Sequence, residues 1–226
     1  MTNHQLRPLK VNAQTGEPFL QLRDHTNIII TPPSPEDVPV MVPYHNDPRV
    51  CDCLGERPLF PYTIEHAKEF FSITKDASDE LLKHLDDARE QPEPIILENC
   101  PVLAIREVHE DGTDTYIGDI GFMRCMLGEL LTTEGVFDWE NKKLREEENN
   151  KLATGDPRII WSFGAPSHHG RGIMTDAVRT MLHEWGVPRM RIRHMWVSTF
   201  TDNEASVKVV KGKMRGVNAL EWKYDA

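Results

Sequence analysis

The sequence predicts an α/β fold, and three stretches carry that prediction. In Arg158–Trp185 an apolar strand runs into a glycine-bearing loop, and the apolar period then changes from two to about 3.6, the mark of an amphipathic helix. Val102–Val108 and Thr115–Phe122 read as strands around Asp111-Gly112, a favoured hairpin pair. Ahead of them, Ser34 and Thr63 each open a helical pattern. At 226 residues the chain is expected to be one domain with a sizeable core.

Residues 1–20 are polar and read as a flexible N-terminal arm, with the single domain spanning 21–226. Leu22 and Asn27–Thr31 bracket a first strand centred on Ile28-Ile29-Ile30. Ser34 is placed as the cap of a first helix, with Pro35 at its first position and acids in its first turn. Pro39 and Pro43 keep that helix short, and Asn46-Asp47-Pro48 ends it. Thr63 caps a second helix, in which Ile64, Ala67, Phe70 and Phe71 share a face. Ser78 is taken as the start of another, with Leu81, Leu82 and Leu85 inside, stopped by Pro92 and Pro94. In the hairpin, Gly118 and Gly121 mark a bulge or a close backbone approach. Residues 127–156 read as an acidic insertion with one solvated helix near Trp139–Leu152, lying over a substrate entrance or simply in solvent. Arg158–Phe163 and Met190–Phe200 are further strands, and Thr201 to Glu204 is a capping box before a last helix. Val207, Val210 and Met214 are expected to pack inward there.

Composition narrows the function classes. A net charge of −10 disfavours broad nucleic-acid binding, which would rest only on Arg189, Arg191, Arg193 and the late lysines. No apolar run is long enough to span a membrane, and the start MTNHQLRPLK has no secretory h-region. Cys51, Cys53, Cys100 and Cys125 form no C-x-x-C pair, so a reduced, cytoplasmic protein without a metal site is expected.

The glycine loop has a chemical use. The first amides of a helix have no intrahelical acceptor and carry partial positive charge, which suits phosphate oxygens. Gly170 and Gly172 let the backbone come close to a ligand, and Arg171 adds a charged donor at the rim. The stretch is neither a P-loop nor a dinucleotide fingerprint, because it has no G-K-[ST] and no third glycine.

Pro166-Ser-His-His-Gly170-Arg-Gly172-Ile-Met-Thr-Asp-Ala177 resembles the acyl-CoA motif Q/R-x-x-G-x-G/A of the GCN5-related N-acetyltransferases, the GNAT family, with Ser167 in the first place. Asn203-Glu204-Ala205-Ser206 matches the family's downstream Asn-x-x-Ser. The nearest branch is that of the ribosomal-protein N-terminal acetyltransferases (RimJ/RimL-like), and the similarity runs from about Leu22 to Ser206. The resemblance implies a GNAT-like acyl-CoA N-acyltransferase fold: a mixed, mostly antiparallel twisted sheet flanked by helices. Lys211 to Val217 departs from the family's usual continuation, so the C-terminal strand of that sheet is expected to be missing, with one short strand in Val217–Tyr224 and an exposed edge open to self-association.

The resemblance further implies acetyl-CoA as co-substrate and an amine of a peptide or small molecule as acceptor. The donor would be held by Phe163, Gly164, His168, His169, Gly170, Arg171, Gly172, Ile173 and Asn203. The strands Arg158–Phe163 and Met190–Phe200 would splay to admit the pantetheine arm, and a backbone amide near Ser162 to Gly164 would take the oxyanion. Ser206 would act on the sulfur side. Many relatives place a glutamate where Ile159 stands, and Arg158–Phe163 holds no carboxylate. Asp119 is the first candidate base, with Glu107 and a water chain as alternatives. The missing carboxylate also keeps open a non-catalytic acyl-CoA-binding or interaction domain.

Overall fold

Ile28 and Ile30, both fully buried, alternate with half-buried Ile29 and Thr31, the two-residue period of a strand packed on one face. This strand lies inside an eight-stranded sheet in the computed structural model, which describes residues 3–52, 60–124, 140–141, 143–144, 147, 158–200, 203–211 and 218–224. The strands follow chain order: β1 (Lys10–Val11), β2 (Pro18–Gln21), β3 (Ile28–Thr31), β4 (Ala104–Val108), β5 (Asp114–Arg124), β6 (Arg158–Gly164), β7 (His194–Phe200) and β8 (Asn218–Tyr224). Pairing is antiparallel from β1 through β6 and parallel for β6–β7 and β7–β8, the mixed and mostly antiparallel sheet expected.

The helices are α1 (Asp37–His45), α2 (Pro48–Cys51), α3 (Ile64–Asp87) and α4 (Ile173–Thr180). Helix α4 continues through a π turn, Met181–Gly186, into α5 (Val187–Met190), and α6 (Glu204–Lys211) follows β7. Of the apolar stripe Ile173, Met174, Ala177, Val178, Met181, Leu182 and Trp185, all are buried except half-buried Met174. Gly186 fits because a Cβ there would stand 3.1 Å from both Phe122 and Ile192.

Several local expectations change. Residues 3–20 are no loose arm. Gln5 is fully buried, donates to the carbonyls of Gln91 and Glu93, and accepts from the Ile95 amide. Arg189, itself buried, donates to the carbonyls of Gln5, Arg7 and Ile95, so it holds the N-terminal segment and offers nothing to nucleic acid. Ser78 starts no helix: Ile64–Asp87 is continuous, and the buried Ser78 hydroxyl donates to the Pro101 carbonyl at 2.6 Å. Without Gly or Pro between positions 64 and 87, nothing breaks the helix there. Helix α1 begins at Asp37 with Glu36 at the cap position and no side-chain cap, so Ser34 is not the cap; the Asp37 carboxylate instead accepts from the Ser34 amide. Met190 ends α5 instead of starting β7, and Arg191 turns the chain at φ 56. The last helix is capped by Asn203, whose Oδ1 accepts from the Ser206 amide; Thr201 lies outside the described residues. Val209 is the residue packed on the core there, while Met214 and the side chains of Val207 and Val210 lie outside the described residues. The acidic insertion also lies outside them, apart from positions 140, 141, 143, 144 and 147.

Other expectations match. Thr63 caps α3, and Asp111 supports the hairpin turn, with Gly112 at φ 83. One strand, β8, follows the last helix, and it runs parallel to β7 over seven residues.

Candidate active site

Two local features build the site. The first is an opening in the sheet. β6 pairs with β5 along its whole length, but with β7 only at Arg158 and Ile159. Beyond Ile159 the other edge of β6 has no strand partner among the described residues, the wedge expected between these strands. The second is a pair of helix starts. Gly172 is the cap of α4 at φ 78, a conformation a side chain would strain, and no side chain caps that end. The first backbone bond of the helix runs from the Asp176 amide to the Gly172 carbonyl, so the amides before it have no intrahelical acceptor. Both helix starts face one cleft of about 630 Å³, lined by Gly164, His168, His169, Gly170, Gly172 and Ile173 on one wall and by Asn203, Ser206 and Val209 on the other.

The loop is tied down by partners far away in sequence. Glu107, at the end of β4, accepts from Arg171 at 2.6 Å and pairs with His168 Nε2 at 2.9 Å. The hydrogen bonds from Arg171 and then His168 push the Glu107 carboxyl down to about 2, so it stays ionised and is a poor base near neutrality. His169 Nε2 donates to the Gly164 carbonyl at 2.8 Å. Asp176 and Thr180, which the helical period sets on the face opposite the apolar stripe, are nonetheless buried, because the β2–β3 turn folds over them.

Asp119 stands elsewhere. A bulge leaves Ile117 as the extra residue of β5, so Asp119 shares a face with Tyr116, beneath α1, while Ile120 and Phe122 face the main core. Its side chain is fully buried and does not line the cleft. Oδ2 accepts from the Tyr116 hydroxyl at 2.6 Å, and Oδ1 has no hydrogen-bond partner among the described residues. Burial pushes the carboxyl up to about 8, with the Tyr116 bond pulling the other way. Nearby, the Arg106 guanidinium grips the buried Asp37 carboxylate with both oxygens at 2.6 Å and also reaches Asp114.

The structure thus brings Gly164, His168, His169, Gly170, Gly172, Ile173, Asn203 and Ser206 onto one cleft. Arg171 sits in the same loop with its guanidinium turned to Glu107. Phe163 is placed by its backbone in β6, opposite Asp119. Sequence reasoning missed Arg49 and Val50 of α2, which also line the cleft. The signal available was Asp47-Pro48, a helix start: Asp47 caps α2 and holds Arg49.

Residues 27–212 match the family profile of the acetyltransferase (GNAT) domain. The chain belongs to the GNAT family of acetyl-CoA-dependent N-acetyltransferases. Among solved structures, this GNAT chain is similar to the microcin C7 self-immunity acetyltransferase MccE in complex with acetyl-CoA and AMP, at 14% identity, TM-score 0.49, 85% of this chain and 87% of that one. It is also similar to Mycobacterium smegmatis RimJ in complex with CoA-disulfide, at 13% identity, TM-score 0.44, 85% of this chain and 71% of that one. No curated protein sequence matches it. As a GNAT acetyltransferase it takes acetyl-CoA as co-substrate. Among the described residues no cluster of three or more His, Cys, Asp or Glu could hold a metal, and no helix is long and apolar enough to cross a membrane.

Proposed function

We propose that this chain acetylates a primary amine, of a protein or a small molecule, by direct transfer from acetyl-CoA bound in the cleft between the starts of α4 and α6. The observation that carries this reading is the meeting, on one cleft, of an uncapped glycine-led helix start, the Asn203–Ser206 turn and the unpaired edge of β6. The amides of Gly170 to Ile173 take the pyrophosphate, with Arg171, His168 and His169 at its rim. The pantetheine amides pair with the β6 edge as an added strand. Asn203 holds the arm through Nδ2, since Oδ1 is spent on the helix cap.

In the transfer step the amine nitrogen attacks the thioester carbonyl carbon, and backbone at Phe163–Gly164 receives the oxyanion. The nitrogen loses a proton, the C–S bond breaks, and the departing sulfur takes a proton from Ser206 Oγ, which solvent restores. No hydrogen bond holds that hydroxyl among the described residues. The amine proton leaves through water to Asp119. Asp119 can accept it only in its ionised form, which becomes abundant as the pH approaches about 8.

A second reading has its own support. Among the described residues the only carboxylate lining the cleft is Glu204, on the α6 wall, and the Asp119 side chain is buried outside it. That favours a non-catalytic acyl-CoA-binding domain. A thiol-release assay with acetyl-CoA across a panel of amines and N-terminal peptides separates the two. Amine-dependent release of CoA supports catalysis; tight acetyl-CoA binding with no release from any acceptor supports the binding domain.

A further inference from the structure

The amides of a phosphate loop recognise an anion only when their peptide planes are held. The plane between Arg171 and Gly172 is held from outside the glycine motif, by His25 in the β2–β3 turn. His25 Nε2 lies 3.1 Å from the Arg171 carbonyl oxygen, and Nδ1 lies 2.9 Å from Asp176 Oδ2. Both partners are acceptors, so the ring bridges the Arg171 carbonyl and the Asp176 carboxylate from its two nitrogens. Asp176 is a firm anchor. It is 2% exposed and accepts from the amides of Asp24 and His25, each at 2.9 Å. Burial pushes its carboxyl up, but the hydrogen bonds from His25, those two amides and Thr180 together hold it below the ordinary aspartate value. The ring stands 3.8 Å from where a Cβ on Gly172 would be, so it packs against the loop at its closest point.

Geometry connects this contact to the ligand side. In a planar trans peptide the C=O and N–H point opposite ways. Turning the Arg171 carbonyl to His25 therefore aims the Gly172 amide away from His25. Gly172 lines the cleft and His25 does not.

We propose that His25 is a positioning residue for the acyl donor: it fixes the Arg171–Gly172 peptide so that the Gly172 amide presents to the pyrophosphate of acetyl-CoA. The inference rests on the reading that this loop takes the pyrophosphate. His25 touches neither the donor nor the reacting atoms; it acts through the peptide it holds.

The test compares two donors by titration calorimetry. Acetyl-CoA carries the pyrophosphate; acetyl-pantetheine lacks the nucleotide and both bridging phosphates. His25→Ala should weaken acetyl-CoA by about tenfold or more and leave acetyl-pantetheine within about twofold. His25→Gln, which keeps one amide donor, should recover part of the loss, and it serves as the folded comparison should the alanine variant melt early. A simple loss of folding would weaken both donors together, so equal weakening of the two overturns the proposal. So does unchanged acetyl-CoA affinity in both variants. If the wild-type protein binds the two donors equally well, the pyrophosphate reading itself fails, and the proposal falls with it. If the wild type strongly prefers acetyl-CoA and His25→Ala keeps that preference, the pyrophosphate reading stands and only the role of His25 is lost.

Discussion

Replacing Asp119 with asparagine should make the protein more stable and less active, and both effects should appear as the pH rises toward about 8. Asp119 is fully buried, and its carboxyl is pushed from 3.8 up to about 8, chiefly by burial. Between those values the folded protein holds a proton that the unfolded chain has released. The stabilising contribution of the group is therefore complete below 3.8 and is lost as the pH rises toward about 8. The loss is about 1.4 kcal/mol per pH unit, so at pH 7 the wild type stands on the order of 4 kcal/mol below a neutral isostere. Asparagine stays neutral and still offers Oδ1 to the Tyr116 hydroxyl. Urea denaturation at pH 5, 6, 7 and 8 should show the advantage of Asp119→Asn growing with pH and levelling near 8. Activity should diverge only where the wild-type carboxyl is ionised. If Asp119 is the proton sink, the variant should match the wild type well below pH 8 and be slowed as the pH approaches about 8, with a still more basic pH partly rescuing it because the amine then arrives neutral. A stability difference that does not change with pH, or that favours the wild type more as the pH rises, would refute the buried, protonated carboxyl on which the reasoning depends.

Ser206→Ala should lower kcat at every pH by about tenfold to a thousandfold if the hydroxyl protonates the sulfur, and a donor with a better leaving thiol should restore the rate; a wild-type rate removes Ser206 from the chemistry. Arg106→Ala should cost about 3–5 kcal/mol at pH 7 in denaturant unfolding, because it strands the Asp37 carboxylate, 1% exposed, without its cation; a loss under about 1 kcal/mol would contradict a buried, charged pair. β8 offers a sheet edge unpaired among the described residues, so sedimentation at rising concentration should show self-association; a monomer at all concentrations would show that the edge is covered.

Much of the architecture was legible because it is written in local pattern. The change of period after Gly172 placed α4, Asp111-Gly112 placed the hairpin, and Thr63 placed the start of α3. The pair of motifs at Gly170–Gly172 and Asn203–Ser206 located both walls of the cleft. What escaped was every contact between residues distant in sequence. Gln5 looked like part of a polar tail because its partners, at Gln91, Glu93 and Ile95, are some 86 to 90 positions away. Asp176 falls on the face opposite the apolar stripe, and the turn that buries it, at Asp24 and His25, lies about 150 positions upstream. Ser78 resembled a helix start because serine favours caps, and only the Pro101 carbonyl explains it in mid-helix. Glu107 was a candidate base by residue type, and its partners Arg171 and His168 remove it. The side Asp119 faces followed from a bulge whose residue count no period reveals.

The most direct test of the account is acetyl-CoA binding by the wild type and by Gly172→Asp, followed through thermal unfolding and calorimetry. Gly172 sits at φ 78 at the uncapped start of α4, a conformation aspartate takes only with strain, and among the described residues only the His25 ring lies within 4 Å of an added Cβ, so the variant places a carboxylate where the pyrophosphate belongs and its own melting curve shows whether it is folded. Acetyl-CoA at ~100 times its Kd should stabilise the wild type by about 2.7 kcal/mol, and the folded variant should show no shift and no binding heat. Equal affinity in the two proteins would contradict the central claim and move the donor site away from the glycine loop.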